Sequence, residues 1–164
     1  MFSHNIAYEK ALSFSRFDSE HFLAPHSGPG FELDGRHWPT AEHYYQAFKF
    51  PEGAYRERIA VAVSAIEAHK LGNVWWRRKR KDFKQVRKTL MTRALYSKAV
   101  QNPLVAQALL ETGEQLILET SAYEHFWGIG RDQRGENKLG KIWMDIRIKI
   151  ILEASTTNKE HAVG

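Results

Sequence analysis

A glycine-rich segment at residues 123–140 restricts the fold more than any other stretch of the chain. Gly128, Gly130 and Gly135 fall within eight positions, a density that allows positive φ angles and close approach of another group. Asn137 follows and precedes apolar residues at helical spacing, which is the pattern of a helix N-cap. A turn that ends at a helix N-terminus presents unpaired backbone N–H groups, which suit a polar or anionic ligand. The segment is not a dinucleotide fingerprint, because no βαβ context surrounds it.

Length predicts one domain, and the local signals along the chain predict the α+β class, predominantly helical with a few short strands. The 164 residues are enough for a real core, and we expect a single domain over residues 1–154 with a polar tail at residues 155–164. The sequence has no run of 18 apolar residues and no secretory pattern at its start, so a cytoplasmic location is expected. The absence of cysteine excludes disulfides and thiolate metal sites.

Local signals predict most of the elements. A hairpin is expected where residues 31–33 and 36–38 flank the Asp34-Gly35 turn. Residues 116–120 have the composition of a short strand. Six helices are expected from capping, breaker and periodicity signals: residues 40–50 capped by Thr40, 52–63, 64–72 with a capping box at Ser64, 82–100, 102–113, and about 138–154.

The positive charge of the chain is concentrated in residues 77–88, which we call the basic segment. It holds eight basic residues and one acidic residue, for a net charge of +7 in a chain whose net charge is +5. The positive charge is therefore local and indicates phosphate, on a small ligand or along a nucleic acid. Arg78, Lys79, Arg80 and Lys81 are the candidate phosphate contacts. The alternative is a solvated helix face, which would not need so many cations.

Two carboxylates have aromatic neighbours that can exclude water and tune a pKa: Glu42 and Glu124. The alternative to a catalytic role for Glu42 is that an acidic residue is simply favoured in the first turn of a helix. The alternative for Glu124 is that it is a surface residue in a loop, without a role in catalysis. His43 and His125 each follow a glutamate, but no metal-binding spacing such as HExxH exists, so no metal site is predicted.

Tryptophans offer a second kind of candidate. Trp127, beside the glycines, is a candidate for stacking on a base, with packing as a lid on the core as the alternative. Trp143 lies on the apolar stripe of the last helix and is most simply a core residue.

Taken together, these residues resemble the NADAR superfamily, the YbiA-like N-glycosidases, over about residues 31–147. The first motif comprises LDG at residues 33–35, WPTAEHYYQA at 38–47 and KF at 49–50. The second comprises FWGIG at residues 126–130, GENKLG at 135–140 and MDIR at 144–147. Glu124 stands where the family usually has aspartate, and Phe83 where many members have tryptophan. Residues 25–30 look like an insertion.

The resemblance implies a hydrolase that cleaves the ribose C1′–N bond of a phosphoribosyl- or ADP-ribosyl-linked base. Early phosphoribosylamino-pyrimidine intermediates of riboflavin biosynthesis are one substrate class. Guanine in DNA that carries ADP-ribose is an alternative substrate. A nucleotide or nucleic-acid binding module without turnover is the alternative outside the enzymes. No cofactor or metal and no membrane partner are implied.

The resemblance also implies roles for individual residues. Glu42 matches the family's acid and would activate water or stabilise the sugar cation. Glu124 would bind ribose hydroxyls or share the proton transfer, and we expect the two carboxylates to converge on one pocket. The expected substrate-binding residues are Trp38, His43, Trp127, Gly128, Gly130, Asn137 and the four cations of residues 78–81.

Overall fold

The computed structural model describes residues 8–162, with side chains up to residue 158. The order of elements is β1 (Leu12–Phe14), β2 (Phe31–Leu33), β3 (Arg36–Trp38), α1 (Ala41–Ala47), α2 (Ala54–Ala60), α3 (Ala65–Gly72), α4 (Phe83–Gln101), α5 (Pro103–Glu111), β4 (Ile117–Glu119) and α6 (Lys138–Ala162). The predicted α+β class, predominantly helical with a few short strands, is confirmed. Among these residues no helix combines the length and apolar composition that crossing a bilayer requires.

The chain divides into two compact units, which are described separately. One unit is residues 16–102; the described part of the other is residues 8–15 and 103–162. The predicted single domain over residues 1–154 stays a prediction. The last helix continues to Ala162, so the predicted helix end near residue 154 was too early and residues 155–162 are helical.

In the unit of residues 16–102, the predicted hairpin is present. β2 and β3 pair antiparallel, with Phe31 opposite Trp38. Asp34 and Gly35 both have positive φ angles, which a two-residue hairpin turn of type I′ requires at its two central residues. The carboxylate of Asp34 accepts hydrogen bonds from Tyr44 Oη (2.9 Å) and from the Arg93 guanidinium (2.6 Å), so the turn is tied to α1 and α4.

α1 is the central helix of this unit. Every one of its residues is buried, and it packs against α2, α3 and α4. Thr40 caps it as predicted, because its Oγ1 accepts a hydrogen bond from His43 N. A helix that is buried on all sides must pair each polar side chain it carries with a protein partner. That requirement shapes the surroundings of Glu42.

In the other unit, β1 and β4 pair in parallel, with Leu12 beside Ile117. α6 packs against β4 and α5 through an apolar stripe that includes Leu139, Ile142 and Ile146. Trp143 is completely buried on this stripe, which is the core position expected for it.

Candidate active site

Glu42 is a fully buried carboxylate at the start of α1, in the unit of residues 16–102. Its backbone N–H donates to Pro25 O at 3.0 Å, so the segment around Pro25 lies directly against the helix start. Residues 25–30, interpreted as an insertion, are therefore part of the surroundings of Glu42.

Both oxygens of the Glu42 carboxylate are held by nitrogen groups. Arg16 donates to Oε2 at 3.0 Å, and His26 Nε2 lies at ion-pair distance from the same oxygen, 3.6 Å. His69 Nδ1 lies 2.8 Å from Oε1, which also accepts a hydrogen bond from Gln46 Nε2, one helical turn along α1. We call these five residues the Glu42 cluster. Because a carboxylate can only accept from its partners, His69 carries its proton on Nδ1 when its ring is neutral.

The cluster keeps Glu42 ionised. Burial is the largest single influence and acts to raise the pKa, but Arg16 together with His26 and His69 outweighs it. The pKa of Glu42 therefore lies well below its usual range. A carboxylate with a low pKa does not donate protons near neutral pH. Of the two roles predicted for Glu42, the low pKa favours stabilising a positive charge, because it also makes the carboxylate a weaker base for activating water.

Aromatic packing closes the cluster on one side. The Phe17 ring meets the rings of His26 and His69 edge-on, with centroids 5.1 and 5.3 Å away. The side chains of Arg16 and His26 are 3% exposed, whereas that of His69 is 31% exposed and Phe17 is also exposed. His69 and Phe17 therefore form the solvent-facing boundary of the Glu42 cluster.

Lys98 anchors the segment that carries His26 through hydrogen bonds. This lysine is fully buried on α4, and its Nζ donates to Ala24 O, Ser27 O and Ser27 Oγ at 2.9–3.2 Å. Burial lowers the pKa of Lys98 to about 7. Its bonds fix the chain on both sides of His26, and thereby the distance from His26 to Glu42.

The Glu42 cluster contains a set of potential metal ligands that the sequence pattern did not reveal. One donor atom from each of His26, Glu42 and His69 lies within 4.8 Å of the other two. Two imidazoles and a carboxylate suit Zn²⁺ or a similar ion. Arg16, however, lies on the same carboxylate and already supplies a positive charge, which opposes the binding of a divalent cation.

Two candidates from the first motif have their polar groups occupied by protein. His43 Nε2 lies 3.0 Å from Ala62 O and therefore carries the proton, while Nδ1 accepts from Thr40 Oγ1. Burial is the main cause that lowers the pKa of His43, so the ring is neutral near pH 7. Trp38 is 3% exposed, and its indole donates to Leu33 O. Contact of either residue with a substrate stays a prediction.

The four predicted phosphate contacts differ in their surroundings. Arg78, Lys79 and Lys81 are exposed. The Arg80 guanidinium forms a two-point ion pair with Asp82, at 2.6 and 2.8 Å, so it is the most constrained of the four.

In the other unit, the glycines of the 123–140 segment are packed against protein. A Cβ at Gly128 would overlap Glu119 Oε2, and one at Gly130, where φ is +69°, would lie 2.6 Å from the His125 ring. Trp127 is 4% exposed and meets Phe126 edge-on. The two glycines thus allow the segment to pack closely against Glu119 and His125, and their role in ligand binding stays a prediction.

Asn137 joins this segment to β4. Its Oδ1 accepts from Glu119 N at 3.0 Å and its Nδ2 donates to Ile117 O at 2.9 Å. The helix starts at Lys138 as predicted, but the Asn137 side chain bonds to the strand rather than to a backbone amide of its own helix. Its contact with ribose or phosphate stays a prediction.

Glu119 and Glu124 are the two carboxylates that most closely precede these glycines in the sequence. Glu119 is fully buried at the end of β4 and accepts from the Ser121 backbone N–H at 3.1 Å and from the Ser121 hydroxyl. Sequence reasoning assigned Glu119 only to a strand. Glu124 is half-buried in the loop that follows, and its N–H donates to Ser121 O.

Comparison with known proteins identifies the family. Residues 2–151 match the NADAR domain. The chain belongs to the NADAR domain family. The N-glycosidase YbiA of Escherichia coli is 34% identical over 74% of this chain and 76% of its own length. An N-glycosidase of Nostoc punctiforme is 35% identical over 78% of this chain and 82% of its own length.

Two further comparisons extend the NADAR assignment. A riboflavin biosynthesis protein of Vibrio vulnificus is 35% identical over 85% of this chain, which spans only 38% of that longer protein. The NMR structure of E. coli YbiA superposes with a TM-score of 0.80 at 30% identity and covers 88% of each chain. The NADAR resemblance predicted from the two motifs is therefore confirmed, and so is the fold.

Proposed function

We propose that this protein is a hydrolase of N-glycosyl bonds that cleaves the bond between ribose C1′ and the nitrogen of a base. The observation that carries the proposal is the ionised, fully buried Glu42, held on both oxygens by Arg16, His69 and Gln46. The names of its NADAR relatives in E. coli and Nostoc, both N-glycosidases, support the same reaction class.

The chemistry requires a fixed negative charge near the sugar. As the C1′–N bond breaks, positive charge develops on C1′ and the ring oxygen, and a preorganised carboxylate stabilises it. Water then supplies a hydroxyl group to C1′ and a proton to the leaving nitrogen. Glu42 provides the charge, and its low pKa keeps that charge at neutral pH. His69, the partly exposed partner of Glu42, is the member of the cluster best placed to meet water.

We assign Glu124 the second role, binding ribose hydroxyls or sharing the proton transfer. Its half-buried position in a loop is compatible with either task. Stacking on the base was predicted for Trp127, but a ring that is 4% exposed has little free surface for it. Burial of the Trp127 ring therefore opposes that stacking.

The proposed substrate is a phosphoribosylamino-pyrimidine, an early intermediate of riboflavin biosynthesis. Relatives from Vibrio vulnificus and maize carry riboflavin biosynthesis names, which supports this choice. A second candidate is ADP-ribose attached to guanine in DNA, and the exposed cations Arg78, Lys79 and Lys81 favour it because a nucleic acid presents many phosphates. Binding of nucleotides without turnover is the remaining alternative.

One experiment separates these possibilities. Purified protein is incubated in parallel with the phosphoribosylamino-pyrimidines and with an oligonucleotide carrying ADP-ribosylated guanine, and the released base is measured by mass spectrometry. We expect release from the pyrimidine substrate. Release only from the oligonucleotide would favour the second candidate, and release from neither would contradict N-glycosidase activity on both proposed substrates.

The role of Glu42 is tested with Glu42→Gln, which keeps the shape of the side chain and removes its charge. We expect kcat/KM to fall by ~10²-fold or more, the usual cost of losing a charged catalytic group. Glu32→Gln is the matched control, since Glu32 lies on the exposed face of the hairpin with its side chain 67% exposed. Activity is compared per folded molecule, as determined by thermal melting. An unchanged kcat/KM in folded Glu42→Gln would remove Glu42 from the mechanism.

A further inference from the structure

Two neighbouring tryptophans are exposed just before the basic segment. Trp75 is 89% exposed and Trp76 is 64% exposed, and their rings are perpendicular with centroids 5.8 Å apart. Tryptophan is highly buried on average, so two exposed indoles side by side indicate a surface that binds something. The N-glycosidase mechanism proposed above does not use either ring.

The charge beside these rings is strongly positive and poorly compensated. The one acid of the basic segment, Asp82, is already paired with Arg80. Within residues 8–158, no ion pair is found for Arg78, Lys79 or Lys81, and all three are exposed. A cluster of cations without carboxylate partners attracts phosphate groups and releases counterions when it binds them.

The surface is grooved. A groove of about 320 Å³ is lined by Lys79, Arg80, Lys81, Phe83, Lys84 and Arg87. A second concavity of about 390 Å³ is lined by residues 50–55 with Arg77 and Arg78. Cations lie over aromatic rings in both places, Lys79 over Phe83 at 5.8 Å and Arg77 over Tyr55 at 4.4 Å. The Arg80 N–H donates to Lys49 O at 2.8 Å, which anchors the backbone between the two grooves.

We propose that Trp75, Trp76 and the cations of the basic segment form a binding surface for single-stranded nucleic acid. Such surfaces combine a positively charged groove that follows the phosphates with aromatic rings on which bases stack. Unpaired bases are required for stacking on the two indoles, which favours a single strand over a duplex.

The shape of the surface distinguishes this partner from an anionic membrane, which also attracts basic residues and tryptophan. Proteins that lie on a bilayer commonly present an amphipathic helix, whereas the two tryptophans lie in residues 74–82, which form neither helix nor strand, next to two concave grooves; only residues 83–88 of the basic segment belong to α4. The proposal does not depend on the hydrolytic function, because binding can be measured whether or not a base is released.

The test measures binding of the full chain to a fluorescent oligonucleotide of about 16 nucleotides by anisotropy at several salt concentrations. The same strand without bases, a duplex of the same length, and phosphatidylserine vesicles serve as comparison ligands. We expect wild type to prefer the strand that carries bases. Trp75→Ala/Trp76→Ala should weaken binding by about 10-fold or more and leave the salt dependence unchanged, because it removes stacking but no charge.

The charge contribution is tested separately with Lys79→Gln/Lys81→Gln. The slope of log affinity against log salt should become shallower by about 1.4, since each phosphate contact on a single strand contributes about 0.7. Lys10→Gln/Lys141→Gln, which removes two exposed cations outside the basic segment, is the matched control and should keep the wild-type slope.

Three results would overturn the proposal: equal affinity for strands with and without bases, tighter binding to the duplex, or binding to vesicles without binding to the strand. An equal change of slope in the charge variant and its control would also contradict it. If the tryptophan variant fails to fold, the comparison of the strands with and without bases decides, because it needs only wild-type protein. Hydrolysis is assayed independently, so loss of the proposed N-glycosidase activity would not be mistaken for loss of binding.

Discussion

At the scale of single residues, the ionisation of Glu42 couples the site to the stability of the fold. The pKa of Glu42 is lowered well below the ordinary value of 4.5 in the folded protein. The unfolded chain therefore binds the proton first as pH falls. The resulting stability is fully present above about pH 4.5 and is lost as pH decreases through the folded-state pKa.

This linkage predicts how Glu42→Gln changes stability. At neutral pH the substitution should cost about 3–5 kcal/mol, because the Arg16 charge stays buried without its partner. The difference between wild type and variant should shrink as pH falls below 4.5, because the unfolded chain takes up the proton there, and should level off below the folded-state pKa, where Glu42 is neutral in the fold as well. Urea unfolding at a series of pH values measures this difference in unfolding free energy. A difference that does not depend on pH would mean that Glu42 is not held as an anion.

Lys98 gives a second prediction at this scale, with the same sign but in the alkaline range. Its pKa is lowered from 10.5 to about 7 in the folded protein, so the unfolded chain holds more protons over that interval. The contribution of Lys98 to stability should therefore rise as pH increases from about 7 to 10.5. Each unit of lowered pKa corresponds to about 1.4 kcal/mol.

Lys98→Met isolates this contribution, because methionine has similar length and no charge. The unfolding free energy of wild type, relative to the variant, should increase across the alkaline interval. His43, which is also buried but titrates outside that interval, is common to both proteins and cancels in the comparison. Parallel pH profiles for the two proteins would contradict a neutral Lys98 in the fold.

At the scale of elements, the N-cap residue of α1, Thr40, contacts both the backbone and the side chain of His43. Thr40 Oγ1 accepts from His43 N and lies 2.8 Å from His43 Nδ1, and both residues are buried. Ser64 caps α3 in the same manner through Glu67 N, but it is exposed and has no second partner of this kind. The two caps thus form a matched pair that differs in burial.

Thr40→Ala should cost about 2 kcal/mol and Ser64→Ala about 1 kcal/mol, because only the first leaves a buried ring nitrogen without its partner. Thr40→Ser keeps the hydroxyl and should restore most of the loss. Denaturant unfolding of the three variants measures the differences. If both alanine variants cost the same, the contact with His43 Nδ1 contributes nothing to stability.

The elements also show which parts could be predicted from sequence. The caps at Thr40 and Ser64 and the Asp34-Gly35 turn are local signals, and each is found where it was expected. The parallel pairing of β1 with β4 joins Leu12 to Ile117 and has no local signal. A three-residue strand carries too little pattern to specify a partner that lies so far along the chain.

The same limit applies to the candidate site. Glu42 was found because it lies within a recognisable motif, and its partner Gln46 is one helical turn away. Arg16, His26 and His69 reach the carboxylate from other segments, and only the folded structure brings them together. A buried charge needs partners, but the sequence does not say which distant residues supply them.

At the scale of the whole molecule, the stable fold should end before the chain does. The NADAR match ends at residue 151, whereas α6 continues to Ala162. Among residues 138–158 of this helix, whose side chains the structure describes, Ile146 is the last buried residue that is fully apolar, and residues 151–158 are exposed. Helical structure alone contributes little stability when no face of the helix is packed.

Ending the chain after Ala154 should therefore change the unfolding free energy by about 0.5 kcal/mol or less, as is usual for exposed positions. Ile146→Ala in the full-length chain is the comparison, and it should cost about 2–5 kcal/mol because it leaves a cavity beside the buried stripe of α6. Denaturant unfolding and N-glycosidase activity are measured for both variants. A truncated chain that loses as much stability as Ile146→Ala would show that the exposed end of α6 is packed in solution, against this chain or another copy of it.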